Sequence, residues 1–149
     1  MKLLNHGRIL KTYKVALGNP KGPKVKAGDR KTPEGVYFID AMKVQSRFHR
    51  ALHISYPGAA DRERAQREHV NPGGDIEIHG LPPALSWIGS LHRTIDWTSG
   101  CIAVTNPEID EIWNYVSVGT RSRFVPEAQY PASRPCRTAS STTFFPSKW

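Results

Sequence analysis

The stretch Asn71-Pro72-Gly73-Gly74-Asp75-Ile76-Glu77-Ile78-His79 constrains the fold more than any other part of this chain. Its first four residues are turn formers, and the five that follow alternate with a period of two, the pattern of a half-buried strand. Ile76 and Ile78 are expected to face a core, while Asp75, Glu77 and His79 face solvent or a cleft. Similar short segments recur at 9–17, with Ile9, Tyr13, Val15 and Leu17 on one face, and at 36–39, 42–46, 51–55 and 101–105. Turns rich in Gly and Pro separate them, so the expected class is mainly β.

Helices are few. Asn106 reads as an N-cap, Pro107 as the first helical residue, and Glu108, Asp110 and Glu111 complement the positive end of the helix dipole. Ile109, Ile112, Trp113 and Val116 form one apolar stripe, which predicts a helix over about 107–115. Residues 82–92 suit a short helix with Leu85, Ile88 and either Leu91 or His92 aligned. Residues 61–69 are polar on every side and read as a surface helix or a flap with no face to bury.

The 149 residues suit one domain, and the 38% of hydrophobic residues suits a globular core. No apolar run approaches the roughly 18 residues of a membrane helix, and the first eight residues carry no apolar export segment. The net charge of +8 is uneven: residues 1–50 hold 12 Lys+Arg against 3 Asp+Glu, and residues 51–118 hold 4 against 9. Lys21, Lys24, Lys26, Arg30 and Lys31 lie among Gly and Pro without interleaved aromatic residues. A solvated loop is therefore expected, not a nucleic-acid interface. Of the 31 residues from 119 to 149, 17 are Ser, Thr, Pro or Arg, and a low-order tail is expected over 121–149.

The chemistry centres on Thr98-Ser99-Gly100-Cys101 and on His79. A cysteine after a glycine turn, at the mouth of a strand, becomes a nucleophile if a nearby imidazole favours its thiolate. Read from the residues alone, a lone Cys101 among Ile, Ala and Val is more often core packing, and a strand-end His79 more often a satisfied polar residue. No Cys/His quartet or H-E-x-x-H indicates a metal, and no phosphate-binding or dinucleotide-binding glycine motif indicates a cofactor. Cys101 and Cys136 are too few for a disulfide framework, and Cys136 lies in a stretch with no sign of packing.

Several ordered motifs together point to a family. The runs 76–80 (Ile-Glu-Ile-His-Gly) and 96–106 (Asp-Trp-Thr-Ser-Gly-Cys-Ile-Ala-Val-Thr-Asn), the helix start that follows, and Gly28-Asp29-Arg30-Lys31-Thr32-Pro33-Glu34-Gly35-Val36-Tyr37 resemble the YkuD-type L,D-transpeptidase catalytic domain over roughly residues 8–120. The resemblance implies a partly closed β-sandwich with one or two short helices over residues 1–120, with the strand before Ile9 missing. It implies Cys101 as nucleophile and His79 as base, the Ser99 carbonyl orienting the imidazole, and the Gly100 and Cys101 N–H groups as oxyanion hole. Trp87, His92, Arg93, Gly80 and Trp97 are the expected substrate-binding residues. The family motif has His where Ser99 stands and Arg where Ala103 stands, so recognition of a substrate carboxylate would fall to another cation, Arg93 or Arg30.

The implied activity is transpeptidation of peptidoglycan stem peptides in the cell envelope or periplasm through a cysteine acyl-enzyme. The expected protein is a monomer with no cofactor, and an envelope lipoprotein is one alternative acyl acceptor. Two alternatives stand beside it: an L,D-endopeptidase or carboxypeptidase of the same family, and an inactive peptidoglycan-binding module.

Overall fold

The structure, a computed structural model, describes residues 1–125 and the backbone of 142–145; Cys136 and the rest of the expected tail lie outside the described residues. The strands are β1 (Lys2–Asn5), β2 (Arg8–Thr12), β3 (Gly35–Ser46), β4 (His49–Ile54), β5 (Glu77–His79), β6 (Ile102–Ala103), β7 (Arg121–Phe124) and β8 (Thr142–Phe145). They form one curled sheet in the order β2-β1-β8-β7-β3-β4-β5-β6. Two α-helices, α1 (Ala59–Arg67) and α2 (Asn106–Trp113), and a 3₁₀ segment, Pro83–Thr94, complete the described residues. The mainly β expectation therefore holds, with three short helical segments. No helix of the described residues is long and apolar enough to cross a membrane.

β3 joins the two parts of the sheet. Its first residues pair with β7, from Gly35↔Phe124 to Phe38↔Arg121, and its later residues pair with β4, from Ile39↔Ile54 to Ser46↔His49. The register shifts between Ile39 and Ala41, so the alternation changes phase inside one strand. That shift is why the sequence reads as two separate strands over 36–39 and 42–46.

The N-terminal strand expected to be missing is present as β1, which buries Leu3 and Leu4. β2 is exposed along its whole length, with Ile9 at 51% exposure, so Ile9 does not share the face of Tyr13, Val15 and Leu17, which are buried. The chain leaves β2 before Tyr13, whose N–H donates to the Met1 carbonyl. The low-order tail expected from 121 instead opens with β7, where Ser122 and Phe124 are buried and Phe124 meets the Tyr37 ring edge-on. β8 pairs with both β7 and β1.

The helices depart from expectation in their anchoring. The N-cap of α2 is Thr105 rather than Asn106, and the Glu108 carboxylate accepts the Thr105 N–H and hydroxyl at 2.9 and 2.7 Å. Ile109, Ile112 and Val116 are buried as the stripe requires. α1 does bury a face: Asp61 accepts hydrogen bonds from the Tyr37 hydroxyl and the Gly58 N–H and pairs with Arg64. In the 3₁₀ segment Leu85 and Leu91 are exposed and His92 is its buried residue, so the expected apolar stripe is not what holds it.

Candidate functional site

Directly opposed residues of paired strands share a face, so the registers define rows across the sheet. Met42, Leu52, Ile78 and Ile102 form a row on the core face. Lys43, Ala51, His79 and Ala103 form a row on the other face, and Ala41, His53 and Glu77 form the row beside it. Cys101 precedes Ile102 by one residue and so projects to the face of His79. Its sulfur lies 3.6 Å from the Asp75 carbonyl oxygen.

The turn before Cys101 is locked from several sides. The Thr98 N–H donates to the Leu17 carbonyl at 3.0 Å, and the Thr98 hydroxyl donates to the Cys101 carbonyl at 2.7 Å while accepting the Gly100 N–H at 3.2 Å. Gly100 has φ of 115°, and a Cβ there would stand 2.4 Å from the Lys31 carbonyl oxygen. Glycine is required on both counts. The Gly100 N–H, an expected oxyanion-hole donor, is thus engaged by Thr98 in this structure.

The loop that presses on Gly100 is itself built around a buried ion pair. Asp29 accepts the backbone N–H groups of Val25, Lys26 and Lys31 and pairs with Lys24 at 2.9 Å, with side-chain exposures of 4% for Lys24 and 7% for Asp29. Burial opposes ionisation of Asp29, but those three N–H groups and the Lys24 ammonium together hold its carboxyl well below the usual carboxylate range. Lys24 is therefore not part of a solvated basic loop, as its neighbours suggested.

His79 is buried. Its Nδ1 donates to the Gly80 carbonyl at 2.7 Å, its ring stacks on Phe48 at 4.2 Å between centroids, and the Trp97 ring meets it edge-on at 6.1 Å. The orienting carbonyl is Gly80, the residue next to the histidine, and not Ser99, which is exposed. With Nδ1 committed as donor, Nε2 carries the lone pair of the neutral ring. Burial holds the His79 pKa below its ordinary value, against the opposing effect of the Gly80 carbonyl. Burial also pushes the Cys101 thiol up, while the Glu77 N–H favours its thiolate. Gly80 is tightly enclosed: a Cβ would meet Asn106 Oδ1 at 2.5 Å and the Phe48 carbonyl oxygen at 3.0 Å. Asn106, expected as a cap, instead accepts the Leu81 N–H at 2.6 Å and clamps this turn.

The expected substrate residues separate. Gly80 and Trp97 lie against His79. His92 is buried and accepts a long hydrogen bond from Trp97 Nε1 at 3.5 Å. Arg93 is paired with Glu108, and Trp87 is 80% exposed on the 3₁₀ segment with its Nε1 donating to Ala84. Arg30 rests on the Trp97 carbonyl at 3.4 Å. Phe48 and Lys43 carry no sequence signal for the site, and Asn106 carries one only as a helix cap. Phe48 sits in the β3–β4 turn and reaches His79 only through strand pairing, which no local pattern announces. Among the described residues no group of three or more His, Cys, Asp or Glu side chains is arranged to hold a metal ion.

Comparison with known proteins gives the family. Residues 1–125 match the YkuD family, described as the L,D-transpeptidase catalytic domain. The chain is 33% identical over 120 residues to YafK of Escherichia coli K12, named as a candidate L,D-transpeptidase, covering 78% of this chain and 41% of YafK. YafK of strain O157:H7 matches to the same extent. The chain thus spans about two fifths of the length of these relatives. In fold it is similar to the helical cell shape determining protein Pgp2 from Campylobacter jejuni, with a TM-score of 0.56 and 21% identity over 97% of this chain and 46% of Pgp2. A family match from residue 1 to 125, on a chain that turns a half-buried cysteine and a backbone-held histidine to one face of its sheet, makes this chain a member of the YkuD L,D-transpeptidase catalytic domain family.

Proposed function

We propose that the protein is a cysteine-dependent L,D-transpeptidase acting on peptidoglycan stem peptides in the cell envelope. The observation that carries this reading is the fixed tautomer of His79, whose Nδ1 is spent on Gly80 so that Nε2 is the nitrogen available as base on the face of Cys101. In the mechanism, the Cys101 proton passes to His79 Nε2 and the sulfur attacks the carbonyl carbon of the L-centre of the diamino acid. The C–N bond to the terminal D-residue breaks, and the proton on Nε2 goes to the leaving amine. An acceptor amine then attacks the thioester, His79 takes its proton, and the Cys101 thiol is regenerated. Backbone N–H groups near the attacked carbonyl stabilise the developing oxyanion, with the Cys101 N–H the nearest donor in sequence.

The thiol need not be ionised at rest. Its raised pKa and the lowered pKa of His79 both favour a neutral pair, so the proton moves during attack rather than before it.

The test is adduct formation with a carbapenem-type β-lactam read by intact mass, with turnover of a stem tetrapeptide read alongside. Cys101→Ala should form no adduct, and His79→Ala should slow acylation by about 10²–10⁴-fold, the range for loss of a general base. Wild-type acylation in His79→Ala would remove the base assignment. Release of the terminal residue with water as sole acceptor would reassign the protein as a hydrolase, and stem-peptide binding without adduct or turnover would leave a binding module.

A further inference from the structure

Thiol and imidazole account for bond exchange but not for the grip on a charged peptide. The face they share has a floor of small residues: Ala41, Ala51 and Ala103 occupy the positions around Glu77 and His79 in the two rows. Lys43 stands on β3 at the end of the His79 row, two strands away from His79. Its ammonium donates to Glu77 Oε1 at 2.6 Å. Glu77 is the inner partner, with a side chain 11% exposed, and Lys43 is the outer one, at 47%.

This pairing orients a flexible side chain. Glu77 accepts one of the three N–H donors of the ammonium, and the exposed position of Lys43 leaves the remainder facing solvent. The parallel pairing of Ile78 with Ile102 sets Glu77 opposite position 101, so the ammonium seated on Glu77 lies on the side of the sheet where Cys101 enters β6. Of the cations around the site, Lys24 is paired with Asp29, Arg93 with Glu108, Arg30 rests on the Trp97 carbonyl and Arg47 lies over the Phe48 ring.

We propose that Lys43, seated on Glu77, forms a carboxylate-binding subsite beside Cys101. It takes a substrate carboxylate within about one side-chain length of the carbonyl that the thiol attacks. The proposal rests on the thiol chemistry above for which carbonyl is meant. In a stem tetrapeptide two carboxylates fit that description, the terminal carboxylate of the leaving residue and the side-chain carboxylate of the diamino acid. Because Glu77 neutralises the ammonium, recognition depends on contact and is expected to be weakly dependent on salt, unlike capture by a bare cationic patch.

The experiment measures binding to the Cys101→Ala protein by calorimetry, so it does not depend on turnover. Three tetrapeptides are compared: the free acid, the C-terminal amide and the diamino-acid side-chain amide. With Lys43 intact, one amide should bind at least about tenfold more weakly than the acid, which identifies the carboxylate. Lys43→Ala should erase that difference, and Lys43→Arg should keep most of it. Lys43→Ala leaves Glu77 unpaired, so the double variant Lys43→Met/Glu77→Gln is measured too and should also bind acid and amide alike. Equal affinities with Lys43 present, a preference that survives in both Lys43→Ala and the double variant Lys43→Met/Glu77→Gln, or no binding of any peptide would each overturn the subsite. Alkylation of wild-type Cys101 by iodoacetamide, which carries no carboxylate, separates the two readings. A reactive thiol with no acid preference removes the subsite alone, whereas a thiol inert under alkaline conditions removes the proposed function.

Discussion

His79 Nδ1 lies 2.7 Å from the carbonyl oxygen of Gly80, its own neighbour in the chain. The acceptor that fixes the imidazole is thus a backbone group held by the same turn that ends β5, and its geometry depends on how tightly that turn is packed. Asn106 and Phe48 pack it, the first through the Leu81 N–H and the second through its carbonyl and its ring.

Gly80→Ala should therefore injure the site more than the fold. The added methyl would stand 2.5 Å from Asn106 Oδ1 and 3.0 Å from the Phe48 carbonyl oxygen, so the turn must shift. We expect a loss of about 1–3 kcal/mol in stability, typical of overpacking, and a 10-fold or greater fall in the β-lactam acylation rate, as expected for a misplaced general base. Urea unfolding and acylation kinetics on the same preparation check both. Acylation at the wild-type rate would show that the Gly80 carbonyl does not position the base.

The pH dependence of Cys101 alkylation follows from the direction of two shifts. The thiol is raised above its ordinary value of 9.0 and His79 is lowered below 6.5, so near neutrality both are uncharged. The rate with iodoacetamide should be low at pH 6 and continue to rise beyond pH 9. A plateau between pH 5 and 7 would instead reveal a preformed thiolate–imidazolium pair.

Acid should destabilise the fold through its buried histidines. Burial, reinforced by Arg93, lowers the His92 pKa from 6.5 to about 4. The unfolded chain binds a proton over that interval and the folded chain does not, so stability is full above pH 6.5 and falls as pH drops towards 4. At about 1.4 kcal/mol per unit, His92 contributes up to roughly 3 kcal/mol to this acid limb. His79 acts in the same sense. His92→Leu should flatten the limb and remove an Nε2 that has no hydrogen-bond partner. Unfolding midpoints at pH 4, 5.5 and 7 test it, and an unchanged slope would count against His92 as the titrating group.

Asp29→Asn should be costly far beyond its loop. It leaves the Lys24 ammonium buried without its counter-charge, and about 3–5 kcal/mol is typical for such a loss. Because the Lys31 carbonyl packs on Gly100, acylation should fall as well. Lys24→Met/Asp29→Asn should recover part of the stability. A single variant as stable as wild type would mean that the pair is not a structural anchor.

Much of this protein was legible in its sequence. The period of two over residues 75–79 put Ile78 in the core and turned Glu77 and His79 away from it, and the stripe of Ile109, Ile112 and Val116 located α2. The ordered motifs around His79 and Cys101 pointed to the family. These features are local: alternation states which face of a strand each residue takes, and capping residues state where a helix begins.

What tertiary structure decided is which faces meet. Lys43 comes beside Glu77, and Phe48 over His79, only because β3, β4 and β5 pair in one particular register, and a slip of one residue would turn each of those side chains to the opposite face. β7 was hidden because Arg121, Ser122 and Arg123 carry little apolar signal. Its place comes from backbone pairing to β3 and β8 and from Phe124 meeting Tyr37. Neither the Gly80 carbonyl as partner of His79 nor the burial of Lys24 is legible in the sequence. A backbone oxygen and an ion pair leave no periodic trace in a sequence, and the free energy that selects them arises from desolvation and close packing in the finished fold.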